Sequence, residues 1–154
     1  DDSLRQELHN NAKAWYRTKA DTAADRIEYI HHLNEANATE DLAEVLSTEG
    51  HELIKSGHTE LLGILRSLER ESFNSKIWCI ILELRGDILS IQGRWDDAES
   101  EYDSAIPIAR KHGMPEELSR LLSARADIAV KRGAMDDALE MHRKALEIQI
   151  KLRD

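Results

Sequence analysis

The stretches "RGDILSIQGRWDDAESEYDSAI" (residues 85–106) and "RADIAVKRGAMDDALEMHRKAL" (residues 125–146) carry nearly the same message forty residues apart. Over 85–109 and 125–149, nine of 25 positions are identical: Arg85/Arg125, Asp87/Asp127, Ile88/Ile128, Gly93/Gly133, Asp96/Asp136, Asp97/Asp137, Ala98/Ala138, Ala105/Ala145 and Ile108/Ile148. Unrelated sequences would share about one or two, so the chain contains a duplicated structural unit.

Within the first copy, Ile80, Ile81, Leu84, Ile88 and Ile91 recur at helical spacing. Gly93 stops that helix, because glycine accepts the left-handed backbone of a C-terminal cap. A second helix follows, carrying Trp95, Ala98, Tyr102, Ala105 and Ala109 at steps of three and four. Asp96 and Asp97 fall in its first turn, where negative charge suits the helix dipole. So short a turn forces the two helices to pack antiparallel. Gly86 and Ala98, twelve residues apart, then meet at the crossing, with Tyr102 filling the space beside them. Ala126, Ala138 and His142 take those places in the second copy. Pro107 predicts a kink inside the second helix, and Pro115 suits the first position of a third.

The small residue, Ala, aromatic and second Ala at Gly86, Ala98, Tyr102 and Ala105 resemble the tetratricopeptide repeat (TPR). Ala126, Ala138 and Ala145 match in the second copy, where His142 replaces the aromatic. Arg85 and Arg125 stand where that family usually has an apolar residue, and the period is forty against ~34 for the basic repeat. The resemblance implies stacked antiparallel hairpins forming a right-handed superhelix with a concave groove, of the kind found in signalling scaffolds.

The first half repeats less cleanly. "ATEDLAEVLSTEGHELIKSG" reads as a helix with Leu42, Val45, Leu46, Leu53 and Ile54 inward and Gly57 at its cap, followed by a shorter one in "HTELLGILRSLERES". Upstream, "SLRQELHNNAKAWYRTK" and "DTAADRIEYIHHLNEAN" form another candidate pair, with Ala12 and Ala24 at the twelve-residue spacing and Trp15 and Tyr16 supplying bulk. The expectation is an all-α chain of about eight helices: degenerate hairpins over 1–73, then TPR-like repeats over 74–113 and 114–154. Residues 8–70 also resemble the helical arm of STAND-type NTPases of the maltose-regulator kind, through His9, Ala12, Tyr16, His32 and Ala36. That likeness implies the effector-sensing arm of a larger ATPase and transcription regulator. No Walker-type glycine loop occurs here, so the chain alone is not expected to hydrolyse ATP.

Bulk properties narrow the function. A formal charge of −9, with basic and acidic residues interleaved, disfavours nucleic acid. No apolar run approaches the ~18 residues of a membrane helix. One cysteine fits a reducing, cytoplasmic setting. The chain opens "DDSLRQ" and closes inside a helical pattern, "LEIQIKLRD", and reads as a piece of a longer protein.

Chemistry is weakly represented. Glu28 and His31 have the Glu-x-x-His spacing of di-iron bundles, but such sites need two facing motifs. His51 and His58 are seven apart with Gly57 between, against the four that one helix face requires. His32 reads with them as a helix-surface or turn residue. Cys79, in "KIWCIIL", reads as a buried thiol with nothing to stabilise a thiolate. The Asp-Asp pairs after each glycine have local work at helix starts. No metal, cofactor or catalytic site is expected.

Binding remains, to a protein or peptide. By the TPR resemblance, the groove is lined by the first helix of each hairpin. That face presents Ile80, Glu83, Asp87, Ser90 and Ile91, then Arg120, Ser123, Asp127, Val130 and Lys131. It is acidic at its centre with some apolar character, which suits a ligand with basic or apolar side chains. It lacks a Lys/Asn clamp for a C-terminal carboxylate. Leu146, Ile150 and Leu152 on the last helix predict self-association through uncovered terminal helices.

Overall fold

A computed structural model describes residues 1–19 and 22–154. Among the described residues there are eight α-helices and no strand. They fall into two compact units, residues 1–73 and 74–154.

The second unit is built from α5 (Ser75–Ile91), α6 (Trp95–Lys111), α7 (Pro115–Lys131) and α8 (Met135–Arg153). Helix starts recur forty residues apart, as the duplication requires. Asn74 caps α5, its Oδ1 accepting from the Ile77 N–H at 2.9 Å. Pro115 sits at the start of α7, where its missing N–H costs nothing. Gly93 has φ +75°, and the Arg94 N–H reaches back to the Leu89 carbonyl at 2.9 Å while the Gly93 N–H reaches Ser90. This pair of bonds satisfies carbonyls that the helix end would orphan, and any residue with a Cβ would be strained there. The same two bonds close α6 and α7. Helix α6 runs unbroken through Pro107.

Each helix packs on the next, and α5 also touches α7. At the α5–α6 crossing a glycine faces a ring. A Cβ placed on Gly86 would lie 2.5 Å from a Tyr102 ring carbon, so only glycine admits that ring. Ala98 and Ala105 are fully buried beside it. At the α7–α8 crossing Ala126, Ala129 and Ala138 form the buried cluster, with Met141 packed against it. Buried Ile81, Leu84, Ile88, Leu121 and Ile128 complete the core, each contributing ~1.5–3 kcal/mol.

The first unit holds α1 (Asp2–Lys19), α2 (Ala23–Glu35), α3 (Thr39–Lys55), α4 (Leu61–Ser67) and a 3-10 turn at Arg70–Ser72. The connection between α1 and α2 at Ala20 and Asp21, where the "DTAAD" segment begins, lies outside the described residues. Thr22 and Asp25 form a reciprocal capping box at the start of α2. Leu42, Val45, Leu46, Leu53 and Ile54 of α3 are all buried. Helix α4 stops at Ser67, and "LERES" continues as extended chain and the 3-10 turn. The twelve-residue alanine pair does not make a crossing here, since Ala24 is exposed. Rings do that work instead: Tyr16 stacks on Tyr29 at 3.9 Å between centroids, and His9 faces His32 at 6.1 Å.

Candidate peptide-binding face

The ten residues expected to line a groove lie on α5 and α7 and sort into groups by what they touch. Glu83 is only 2% exposed, and its carboxylate accepts from the Arg120 guanidinium, Nε to Oε1 at 2.8 Å and Nη2 to Oε2 at 3.5 Å. Burial works against the Arg120 charge, yet its pKa is raised because Glu83, and then Glu117, favour it more strongly. Two of the ten candidates therefore tie one repeat to the next. Asp87 is half-buried and accepts the Tyr102 hydroxyl at 2.6 Å. Burial, reinforced by Asp87, pushes the Tyr102 pKa far up. In the next repeat Asp127 stands in the same relation to His142, at 3.5 Å and exposed. Lys131 lies 5.7 Å from the centre of the Trp95 ring, a cation–π distance.

Exposed on this face are Ile91, at 58%, Val130, at 42%, and Asp127, together with Arg120 and Lys131 in the contacts just described. Ile80, Ser90 and Ser123 are half-buried around them. Because α5 and α6 are antiparallel and α6 and α7 likewise, α5 and α7 run the same way. Equivalent positions of the two repeats are thus presented side by side.

Several other residues have structural work. The buried Cys79 thiol donates to the Ala105 carbonyl at 3.6 Å, and burial, with help from Glu83, pushes its pKa up to about 12. A thiol so held is a poor nucleophile. Forty residues on, Ser119 donates to Ala145 at 3.2 Å, so the repeat preserves even this bond. Arg85 and Arg125, the departures from the TPR pattern, are also accounted for. Arg85 lies 4.8 Å over the Trp78 ring and reaches Glu101, while Arg125 bridges from α7 to Asp103 and Glu99 of α6. Asp96 pairs with Arg132, and Asp97 with Arg94.

In the first unit Asp41 of α3 receives Lys13 at 2.7 Å and His9 at 2.9 Å, both from α1. The Lys13 ammonium, then His9, hold the Asp41 carboxyl below its usual range against the opposing effect of burial. Glu49 of α3 accepts the Tyr16 hydroxyl and an Arg26 N–H. Glu28 and His31 are both exposed on α2, and His58 pairs with Glu60 at 3.0 Å. Sequence periodicity gave no warning of the Asp41 and Glu49 clusters, because their partners lie some thirty residues away on another helix.

A search of curated proteins returned no significant match. Among solved structures, the crystal structure of BtubC (BKLC) from P. vanneervenii is similar, with a TM-score of 0.51 and 16% identity. The match covers 99% of this chain but 57% of that one, and it speaks to the fold alone. Residues 79–151, which span both well-formed repeats, match the tetratricopeptide repeat family. Helices α5 to α8, with their forty-residue period, small-residue crossings and repeated end bonds, are TPR-like helical repeats.

Proposed function

We propose that the chain is a protein- or peptide-binding scaffold whose contact face is formed by α5 and α7. Tetratricopeptide repeats generally mediate protein–protein interaction. The observation that carries the reading here is the open trio of Ile91, Asp127 and Val130, two exposed apolar side chains and an exposed carboxylate on like-directed helices. It fits an extended or helical segment that offers a leucine-like side chain and a Lys or Arg. Glu83, Arg120 and Asp87 hold the face together from beneath. The chain acts in this reading as the interaction or sensor region of a larger regulatory protein.

A peptide array alternating leucine and lysine residues, followed by fluorescence polarisation on the best binder, tests it. Asp127→Lys should weaken binding at least ~10-fold, which is about 1.4 kcal/mol, with the melting temperature unchanged. Affinity unmoved by Asp127→Lys and by Ile91→Asp would remove this face from consideration.

A second reading, that of a small-molecule sensor arm, draws on a polar hollow of about 430 Å³ in the first unit, lined by Asp2, Arg5, Gln6, His9, Asn37 and Asp41 among others. It calls for a polar, charged effector. A thermal-shift screen of small polar metabolites is its test, and a response abolished by Arg5→Ala its expected result.

A further inference from the structure

Helix α8 turns a stripe of Met135, Leu139, Leu146 and Ile150 to solvent, each more than half exposed, while Ala138 and Ala145 are buried against α7. One repeat earlier the same stripe on α6 is Trp95, Glu99, Ile106 and Arg110, and there Ile106 is buried. Helix α7 docks on α6 through acidic residues: Arg132, at its end, pairs with Asp96 and Glu99, and Arg125 pairs with Glu99 and Asp103. On α8 two of those three acceptors have been exchanged, Leu139 standing for Glu99 and Arg143 for Asp103, while Asp136 keeps the place of Asp96. A further helix of the α7 kind, with its two arginines, would keep one carboxylate, Asp136, and otherwise meet a leucine and another arginine. Whatever covers α8 must dock by a different rule.

The face supplies that rule by being complementary to itself. Its apolar residues fall at steps of four, seven and four, the spacing of a two-helix seam. Asp136 and Asp137 occupy the first turn, and Lys151 and Arg153 the last. Laid antiparallel on a second copy, Leu139 faces Ile150 of that copy and Leu146 lies near the two-fold axis. Each acidic first turn then meets a basic last turn, and the helix dipoles oppose. Such a contact uses the same patch twice and closes. We propose that α8 is the seam of an antiparallel homodimer of this chain.

Sedimentation equilibrium of the 154-residue chain from about 1 to 100 µM, where a dimer of micromolar Kd would form, should show a rise from 17.6 kDa toward twice that mass. The exposed pair Leu146→Glu and Ile150→Glu should give a monomer throughout, with unchanged helical circular dichroism as the control for folding. Asp136→Lys with Asp137→Lys should weaken the dimer, and adding Lys151→Glu with Arg153→Glu in the same chain should restore it. A 17.6 kDa species at every concentration would overturn the proposal and leave the face to another occupant, such as a following segment of a longer chain. So would a dimer indifferent to the Leu146 and Ile150 changes, or charge reversals that add rather than cancel.

Discussion

Residues 74–113 and 114–154 fold to the same pair of helices, yet they solve the crossing differently. In the first repeat a glycine makes room for a large ring: Gly86 opposes Tyr102, which is 1% exposed and donates to Asp87. In the second, Ala126 takes the glycine's place, and the ring's place falls to His142, which is exposed and only loosely near Asp127. The alanines that follow, Ala98 and Ala105 against Ala138 and Ala145, are buried in both. The lesson is that close helix approach is set by the alanines, while the glycine and aromatic are a matched pair that can be exchanged together. The first repeat gains core from that pair, and the second does without it.

Five substitutions, taken in three comparisons, attack this contrast, the largest effect first. Tyr102→Ala should cost ~3–5 kcal/mol, the usual range for emptying a buried aromatic, whereas His142→Ala should fall within about 0.5 kcal/mol as a surface change. Urea unfolding followed by circular dichroism reads both. Equal losses would mean that the two repeats are not built as described. Next, Gly86→Ala should destabilise by ~1–3 kcal/mol through the clash with the Tyr102 ring. In a Tyr102→Ala background the same change should become neutral or stabilising by up to ~1 kcal/mol, since alanine is the better helix former. That sign reversal is the coupling signature of two residues in contact. As a control common to both repeats, Ala98→Leu and Ala138→Leu should each overpack, by ~1–3 kcal/mol.

Most of this contrast was legible in sequence, because it is local or repeats with a fixed period. The twelve-residue spacing of Gly86 and Ala98, the glycine-ended turns and the place of Pro115 all follow from helix geometry and short loops. What periodicity cannot show is a contact between helices of different hairpins. Glu83 lies on the face that helical spacing assigns to a groove, yet Arg120, thirty-seven residues on, draws its carboxylate inward. Ala24 keeps the spacing that works at Gly86 and Ala98 but is exposed, because α1 meets α2 through Tyr16, Tyr29 and two histidines. A spacing rule carries over only where the surrounding core is also repeated. The open trio of Ile91, Asp127 and Val130 was in the expected set but indistinguishable there from its buried neighbours.

The smallest test separates the two repeats by pH. Tyr102 has its pKa raised by burial and by Asp87, so the folded chain holds that proton more tightly than the unfolded one. Its contribution is therefore complete below the unfolded tyrosine pKa, near 10, and declines as pH rises above it. The second repeat has no counterpart, as His142 carries no phenol. Tyr16 and Tyr29 of the first unit are raised as well, so the whole chain should lose stability in alkali. The part due to Tyr102 is isolated by Tyr102→Phe, which keeps the ring against Gly86 and removes only the hydroxyl. At neutral pH that change should cost about 1 kcal/mol, the worth of one hydrogen bond. Above pH 10 the gap between the two proteins should narrow. A gap that stays constant between neutral pH and pH 11 would show that the Tyr102 hydroxyl is not held by Asp87 as the geometry requires.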